Sequence, residues 1–312
     1  MLNHYIYIQH NTLYAIINPM NKVITENINP NTSDIDIIPT IDIVKKINDE
    51  DKSVAFAIEK ELPSIALAVD LISNAFLNNK KLFYFGAGTS GRLGVLDASE
   101  CSPTFSVEFD MVQGIIAGGD RALRYAIEGA EDDFELGLKN GEILKENDIC
   151  TLISASGNPK YLLGVKETAK KKQAKIIAVT SNPNAKILKD VDVRICPILG
   201  PEVITGSSRM KSGTAQKMIL NMLTTASMVQ IGKTYKNYMI DVKPTNEKLR
   251  KRALEIVKDI TNKDEKTALE VLNECDWNVK TAVLMIEKNI SKQKAKEILA
   301  QNKGVLRRAL NK

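Results

Sequence analysis

Apolar residues recur at helical spacing from Ile41 to Phe76, and Pro63 interrupts them. Two helices are predicted there, because proline lacks a backbone donor and clashes inside a helix. Thr40 stands where a side-chain cap for the first helix belongs. Beyond Phe76 the pattern changes to short, continuous apolar runs at residues 82–85, 112–117, 149–154, 176–180 and 193–196. Helical stretches at 92–99, 122–138, 161–172 and 185–189 separate them. Runs without polar alternation are buried on both faces, so the rhythm predicts an α/β fold with a three-layer αβα parallel sheet, flavodoxin-like in type. Ligands of such sheets bind outside the carboxyl ends of the strands. A long helix follows at 212–232, where Met218, Met222 and Met228 form a stripe read as core or subunit interface rather than a cofactor box. From Asn246 the chain is helical and charged, with short helices expected at 267–272, 279–286 and 292–299 and Trp277 at their junction. The expected division is an extension and arm over 1–40, a sheet domain with leading helices over 41–245, and a small helical domain over 246–312.

The first twenty residues stand apart, with both histidines, His4 and His10, three of the eight tyrosines and no period. They read as an extension, with Met20 a second possible start, and residues 21–40, rich in Asn, Pro, Thr and Asp, as an extended arm. With both histidines there, a Ser–His or Cys–His mechanism is excluded from the main body, and acid–base work falls to Glu, Asp, Lys or Tyr. The length of 312 residues and a hydrophobic fraction of 44% suit a globular chain with a substantial core. A net charge of +5 without a dense Lys/Arg block argues against nucleic acid. No apolar run is long enough to span a membrane and no signal peptide is evident, so a cytoplasmic protein is expected. The four cysteines form no CxxC pair or His/Cys cluster, which fits a reducing compartment and no zinc site. Cys150 and Cys196 lie in apolar runs and read as inert.

The densest chemistry follows the first apolar run, in Gly86-Ala87-Gly88-Thr89-Ser90-Gly91. A strand, a glycine turn and a helix start make an anion cradle, since N–H groups and the helix dipole face the ligand. The string matches GxGxxG, so a dinucleotide site has to be weighed. Thr89 and Ser90 point elsewhere, and so does a second loop, Ser154-Ala155-Ser156-Gly157-Asn158, at the end of another run. Two hydroxyl-rich loops at strand ends suit a sugar phosphate held by Thr89, Ser90, Gly91, Ser154, Ser156 and Gly157 without metal or cofactor. A nucleotide site would call for a Walker-type lysine or an acid ending the second strand. Asp120 comes late for that role and Glu108 precedes the strand, so NAD is disfavoured.

At this point a family resemblance emerges. Gly86 to Gly94, Asp97-Ala98-Ser99-Glu100-Cys101, Glu128-Gly129-Ala130-Glu131-Asp132-Asp133, and the stretch from Gly200 to Lys217 resemble the signatures of the N-acetylmuramic acid 6-phosphate etherases. The likeness runs from about Thr25 nearly to the C-terminus. It implies a sugar isomerase (SIS) domain, a homodimer, no cofactor, and cleavage of the lactyl ether of N-acetylmuramate 6-phosphate to N-acetylglucosamine 6-phosphate and D-lactate. It also implies that Glu100 and Glu131 are the acid–base pair, with Glu131 assigned to the C2 proton and Glu100 to the leaving group and water. Alone, Glu100 would read as a helix-end cap or ion-pair partner, and Glu131 as part of a solvated acidic helix face. A glutamic acid that donates at neutral pH needs a raised pKa, and Asp97 is the candidate neighbour. Glu202 and Lys211 fall in a family stretch, with Lys211 a further anion contact or a surface residue at a helix start. Two departures stand out: Asn158-Pro159-Lys160-Tyr161 lacks the usual threonine, and Ser102 replaces a second proline. Residues 267–286 resemble a ubiquitin-associated fold in spacing. A sugar-phosphate isomerase, which needs no group to expel lactate, and a non-catalytic sugar-phosphate sensor remain the alternatives.

Overall fold

The computed structural model describes residues 23–242, 244 and 246–311. The readings of His4, His10 and Met20 therefore lie outside the described residues. Helix α1 (Thr40–Glu59) and helix α2 (Leu62–Leu77) lead in, with Pro63 in the first turn of α2, where its missing N–H costs nothing. Thr40 lies inside α1, and Pro39 holds the capping position without a side-chain hydrogen bond. The expected threonine cap is thus replaced by a proline whose fixed geometry starts the helix.

The sheet is built from β1 (Leu82–Gly86), β2 (Val112–Ile116), β3 (Ile149–Ile153), β4 (Lys175–Val179) and β5 (Val193–Ile195), in the order β2-β1-β3-β4-β5. Every pairing is parallel. Successive side chains alternate between faces. Leu82 and Tyr84 enter one core with α1, α2, α3 (Gly88–Phe105) and α7 (Lys211–Gln230). Phe83 and Phe85 enter the other, with Cys150, Leu152 and Tyr161. Helices α5 (Phe134–Gly141) and α6 (Lys160–Lys171) cover that second face. Both faces are dry, which is why β1 and β3 read as unbroken apolar runs.

The expected single helix at 122–138 is broken. Helix α4 (Arg121–Arg124) ends early, Gly129 takes φ +73°, a 3-10 turn covers Ala130–Asp132, and α5 starts behind an Asp133 cap. A left-handed glycine and a capping aspartate stop and restart the helix. Residues 185–189 also form only a 3-10 turn, Lys186–Leu188. The arm makes two 3-10 turns and docks, with the Thr32 hydroxyl donating to the Val203 carbonyl at 2.7 Å and the Gly206 N–H to the Thr25 carbonyl at 2.9 Å.

A hairpin of β6 (Thr234–Tyr235) and β7 (Tyr238–Met239), which the pattern does not reveal, leads to α8 (Glu247–Thr261), α9 (Glu265–Glu274), α10 (Val279–Lys288), α11 (Lys292–Gln301) and α12 (Leu306–Ala309). Asn246, Asp264, Asn278 and Ser291 cap α8 to α11 through side-chain oxygens. Trp277 lies between α9 and α10, partly buried against this helical core, with the Arg250 guanidinium 5.5 Å from its ring centre.

Candidate functional site

The chain steps from β1 outward to β2 and then returns to place β3 on the other side of β1. This reversal opens a crevice at the carboxyl ends of β1 and β3. Gly86 and Ile153 are the last paired residues of the two strands. The loops that carry Thr89 and Ser154 therefore emerge side by side.

In the first loop the glycines have separate tasks. A Cβ on Gly91 would lie 2.6 Å from Ile116 Cγ1 and 2.7 Å from the Gly86 carbonyl oxygen, so this pair lets helix and strand touch. Gly88 has φ +53° and faces open space. Ala87 offers no side-chain cap to α3, and the Gly91 N–H turns back to the Ala87 carbonyl at 3.3 Å. The N–H groups of Gly88, Thr89 and Ser90 have no acceptor among the described residues. These are orphan donors of a long helix, with its positive dipole end behind them. Ser90 is buried, and neither its hydroxyl nor that of Thr89 is hydrogen-bonded within the described chain.

In the second loop Ser154 Oγ accepts the Gly157 N–H at 3.0 Å, and Ser156 Oγ accepts the Asn158 N–H at 3.4 Å. Each hydroxyl keeps its hydrogen to donate. Gly157 has φ +67°, and an added Cβ would lie 2.3 Å from Ala185 Cβ. Its N–H is engaged by Ser154, as that of Gly91 is by Ala87, so these two glycines shape the loops and offer no donor. Asn182 Nδ2 donates to the Ser156 carbonyl at 2.8 Å, and Asn158 Oδ1 accepts the Lys186 N–H at 3.3 Å. Asn158, which follows directly on the Ser156-Gly157 pair, fastens this loop to the next.

The start of α7 forms a third wall, which the sequence reading did not place. A Cβ on Gly213 would lie 3.5 Å from Thr89 Cγ2. Glu202, only 1% exposed, accepts the N–H groups of Lys211 and Ser212 at 2.8 and 3.0 Å and the Ser212 hydroxyl at 2.7 Å. A carboxylate on bare helix donors is favoured by both hydrogen bonding and the dipole. Lys211 Nζ meets Glu50 Oε2 at 2.6 Å, with side chains 3% and 12% exposed. Burial acts to raise the Glu50 carboxyl, but hydrogen bonds from Lys211 and Asn31 outweigh it and hold it below its ordinary value. Lys211 is thus neither a surface residue nor an unpaired cation awaiting an anion.

Asp97 faces α7. Its carboxylate accepts from the Tyr84 hydroxyl at 3.0 Å, Asn221 Nδ2 at 2.6 Å and the Thr224 hydroxyl at 3.2 Å. Burial raises its pKa despite these three donors. For an acid raised in the folded state, the stabilising contribution is complete below the unfolded value near 3.8 and is lost as pH rises through the folded value. Asp97→Asn is therefore expected to gain on the wild type as pH climbs through that window in urea unfolding. A difference that does not vary with pH would sink the assignment.

Glu100 is exposed on α3, one turn beyond the buried Asp97. Glu131 is exposed in the 3-10 turn Ala130–Asp132, and not on a helix face. Arg92 secures the approach to that turn by donating to the carbonyls of Leu123 at 3.1 Å and Tyr125 at 3.3 Å. Glu100 is twelve residues beyond Gly88 along one helix. At the helical rise that is ~15–18 Å of backbone from the orphan donors at Ser90 to Gly88.

Among the described residues, no three His, Cys, Asp or Glu side chains group to hold a metal ion. None of the described helices is long and apolar enough to cross a membrane. Burial pushes the Cys101 and Cys196 thiols up to about 12, and that of Cys150 higher still, which leaves them poor nucleophiles.

Three family models match the chain: the glucokinase regulatory protein N-terminal SIS domain over residues 64–170, the SIS domain over 135–226, and the C-terminal lid domain of glucokinase regulatory protein over 236–277. An N-acetylmuramic acid 6-phosphate etherase from Clostridium botulinum (strain Okra / Type B1) is 51% identical over 93% of this chain and 97% of its own. Proteins of the same name from Vibrio atlanticus and Actinobacillus pleuropneumoniae are 48% and 49% identical, each over 95% of this chain and at least 97% of theirs. Identity of this order, sustained from end to end across both the sheet and the helices that follow it, shows that the chain belongs to the N-acetylmuramic acid 6-phosphate etherase family.

Proposed function

We propose that this protein cleaves the D-lactyl ether of N-acetylmuramate 6-phosphate with water, as a cytoplasmic carbon–oxygen lyase. One observation carries the reaction: full-length likeness to proteins of that name. The geometry supports where the substrate sits. Its phosphate meets the N–H groups of Gly88, Thr89 and Ser90 and the hydroxyls of Thr89, Ser90, Ser154 and Ser156, while Gly91 and Gly157 hold the two loops in shape. In the ring-opened sugar the C1 aldehyde acidifies the C2 hydrogen. Glu131 takes that proton, the C3–oxygen bond breaks, and lactate leaves with a proton from Glu100. Water then adds oxygen to C3 and hydrogen to C2 of the unsaturated aldehyde. The sheet domain over 41–245 carries the site, and the helical domain over 246–312 is attached to it.

A homodimer belongs to this reading. From C6 phosphate to C3 an open-chain sugar spans well under the ~15–18 Å of backbone that separates Glu100 from the α3 donors of its own chain. Glu100 therefore serves the site of a second copy. Leu96, one turn before it on α3, is 50% exposed, and Ile41, Phe56 and Leu67 on α1 and α2 are also bare. These exposed apolar positions support an association surface on this side. The purified protein is expected to release D-lactate from N-acetylmuramate 6-phosphate without added metal or nucleotide. Tight binding of the sugar phosphate with no lactate would leave only a sensor.

A further inference from the structure

Gln216 is 2% exposed, and neither its Nε2 nor its Oε1 has a hydrogen-bond partner. A buried amide with both ends unsatisfied is rare in a native protein, because each unpaired group carries its full desolvation cost. Beyond the Ser212–Glu202 pair one turn earlier, the neighbours on α7 are apolar. Ala215, Ile219, Leu220 and Leu223 of the same helix all belong to the apolar core. A methionine or leucine would fill the position more favourably if packing were its only task.

Position supplies the missing partner. Gly213, one turn earlier on α7, abuts Thr89 of the first loop. Asn221 and Thr224, further along, reach Asp97. Helices α7 and α3 thus start together at the carboxyl end of the sheet and run side by side. Long side chains on a helix lie back toward its N-terminus. That lean brings the Gln216 amide toward the level of Gly213, the residue that abuts Thr89. The chemistry narrows what it meets there. A phosphate mainly accepts, and it already faces the orphan donors of α3. A carboxamide offers one donor end and one acceptor end, so its match is a neutral group that both donates and accepts.

We propose that Gln216 is a substrate-binding and specificity residue, which hydrogen-bonds a hydroxyl or the acetamido group of the bound sugar phosphate. The inference rests on the sugar-phosphate reading of the site. Binding measurements test it without need of turnover. Titration calorimetry with N-acetylglucosamine 6-phosphate and with glucose 6-phosphate should show Gln216→Leu and Gln216→Met about tenfold to a hundredfold weaker than wild type for at least the first ligand. Loss confined to N-acetylglucosamine 6-phosphate identifies the acetamido group as the partner. Equal loss for both ligands identifies a hydroxyl. In either case the melting temperature should hold or rise, because an unpaired buried amide has gone. Unchanged affinity in both variants, or a fall in melting temperature without a fall in affinity, overturns the inference alone. A wild type that binds neither sugar phosphate overturns the substrate reading and this inference with it.

Discussion

Glu131→Gln is expected to lower lactate release by about a thousandfold and to stop exchange of the substrate's C2 proton with solvent, since a positioned general base supplies ~10²–10⁴ in rate. The amide keeps the size of the carboxylate and loses only its basicity. Glu131 sits in an exposed 3-10 turn, so folding should be unaffected. Glu100→Gln should also cut lactate release, with C2 exchange retained, because proton removal precedes departure of the lactate. Exchange that persists in Glu131→Gln would take Glu131 out of the base role. The pair also reports on geometry. In the proposed dimer, with Glu100 ten to twelve residues down α3 from the unpaired N–H groups, each site draws this residue from the other copy. Mixing the two inactive variants under conditions that allow subunit exchange should then restore activity. Half of the random dimers are mixed and each has one intact site of two, so about a quarter of wild-type activity is expected. No recovery in verified mixed dimers would place both glutamates on one chain's site.

Lys211→Met is expected to destabilise the fold by about 3 kcal/mol, the lower end of what breaking a buried ion pair costs. The loss comes from Glu50, whose carboxylate stays nearly buried with the neutral amides of Asn31, at 2.8 Å, and Asn29 in place of a cation. The double variant Glu50→Gln with Lys211→Met should recover most of that loss, because no uncompensated charge remains. Urea unfolding of the single and double variants decides it, and a double variant no more stable than the single one would refute the pair. Activity should fall less than stability at low temperature. Glu202 still caps the first turn of α7 and holds it against Thr89.

Much of this was legible in the sequence. The five strands follow from apolar runs that need burial on both faces, and their ends lie within a few residues of expectation. The two hydroxyl loops were visible because the pattern recurs at the ends of two such runs, whereas a single glycine–serine turn often only caps a helix. The helix expected at 122–138 failed because apolar spacing continued through Gly129, whose positive φ no side-chain pattern announces. The roles of Glu202 and Lys211 were hidden for a different reason. Glu202 caps a helix nine residues ahead, and Lys211 pairs with a residue 161 positions away. Gln216 fell within the stretch that resembles the family signature, but an amide within an apolar helix shows its lack of partners only once its neighbours are in place.

By itself, then, the chain's order of residues determined the layered fold, the two hydroxyl-bearing loops at the strand ends and the family, all of which depend on local pattern and backbone conformation. Only the tertiary structure decided which N–H groups remain unpaired, which charges are already matched, and that the start of α7 closes against Thr89. Those are properties of distance and burial, and they exist only when remote segments pack together.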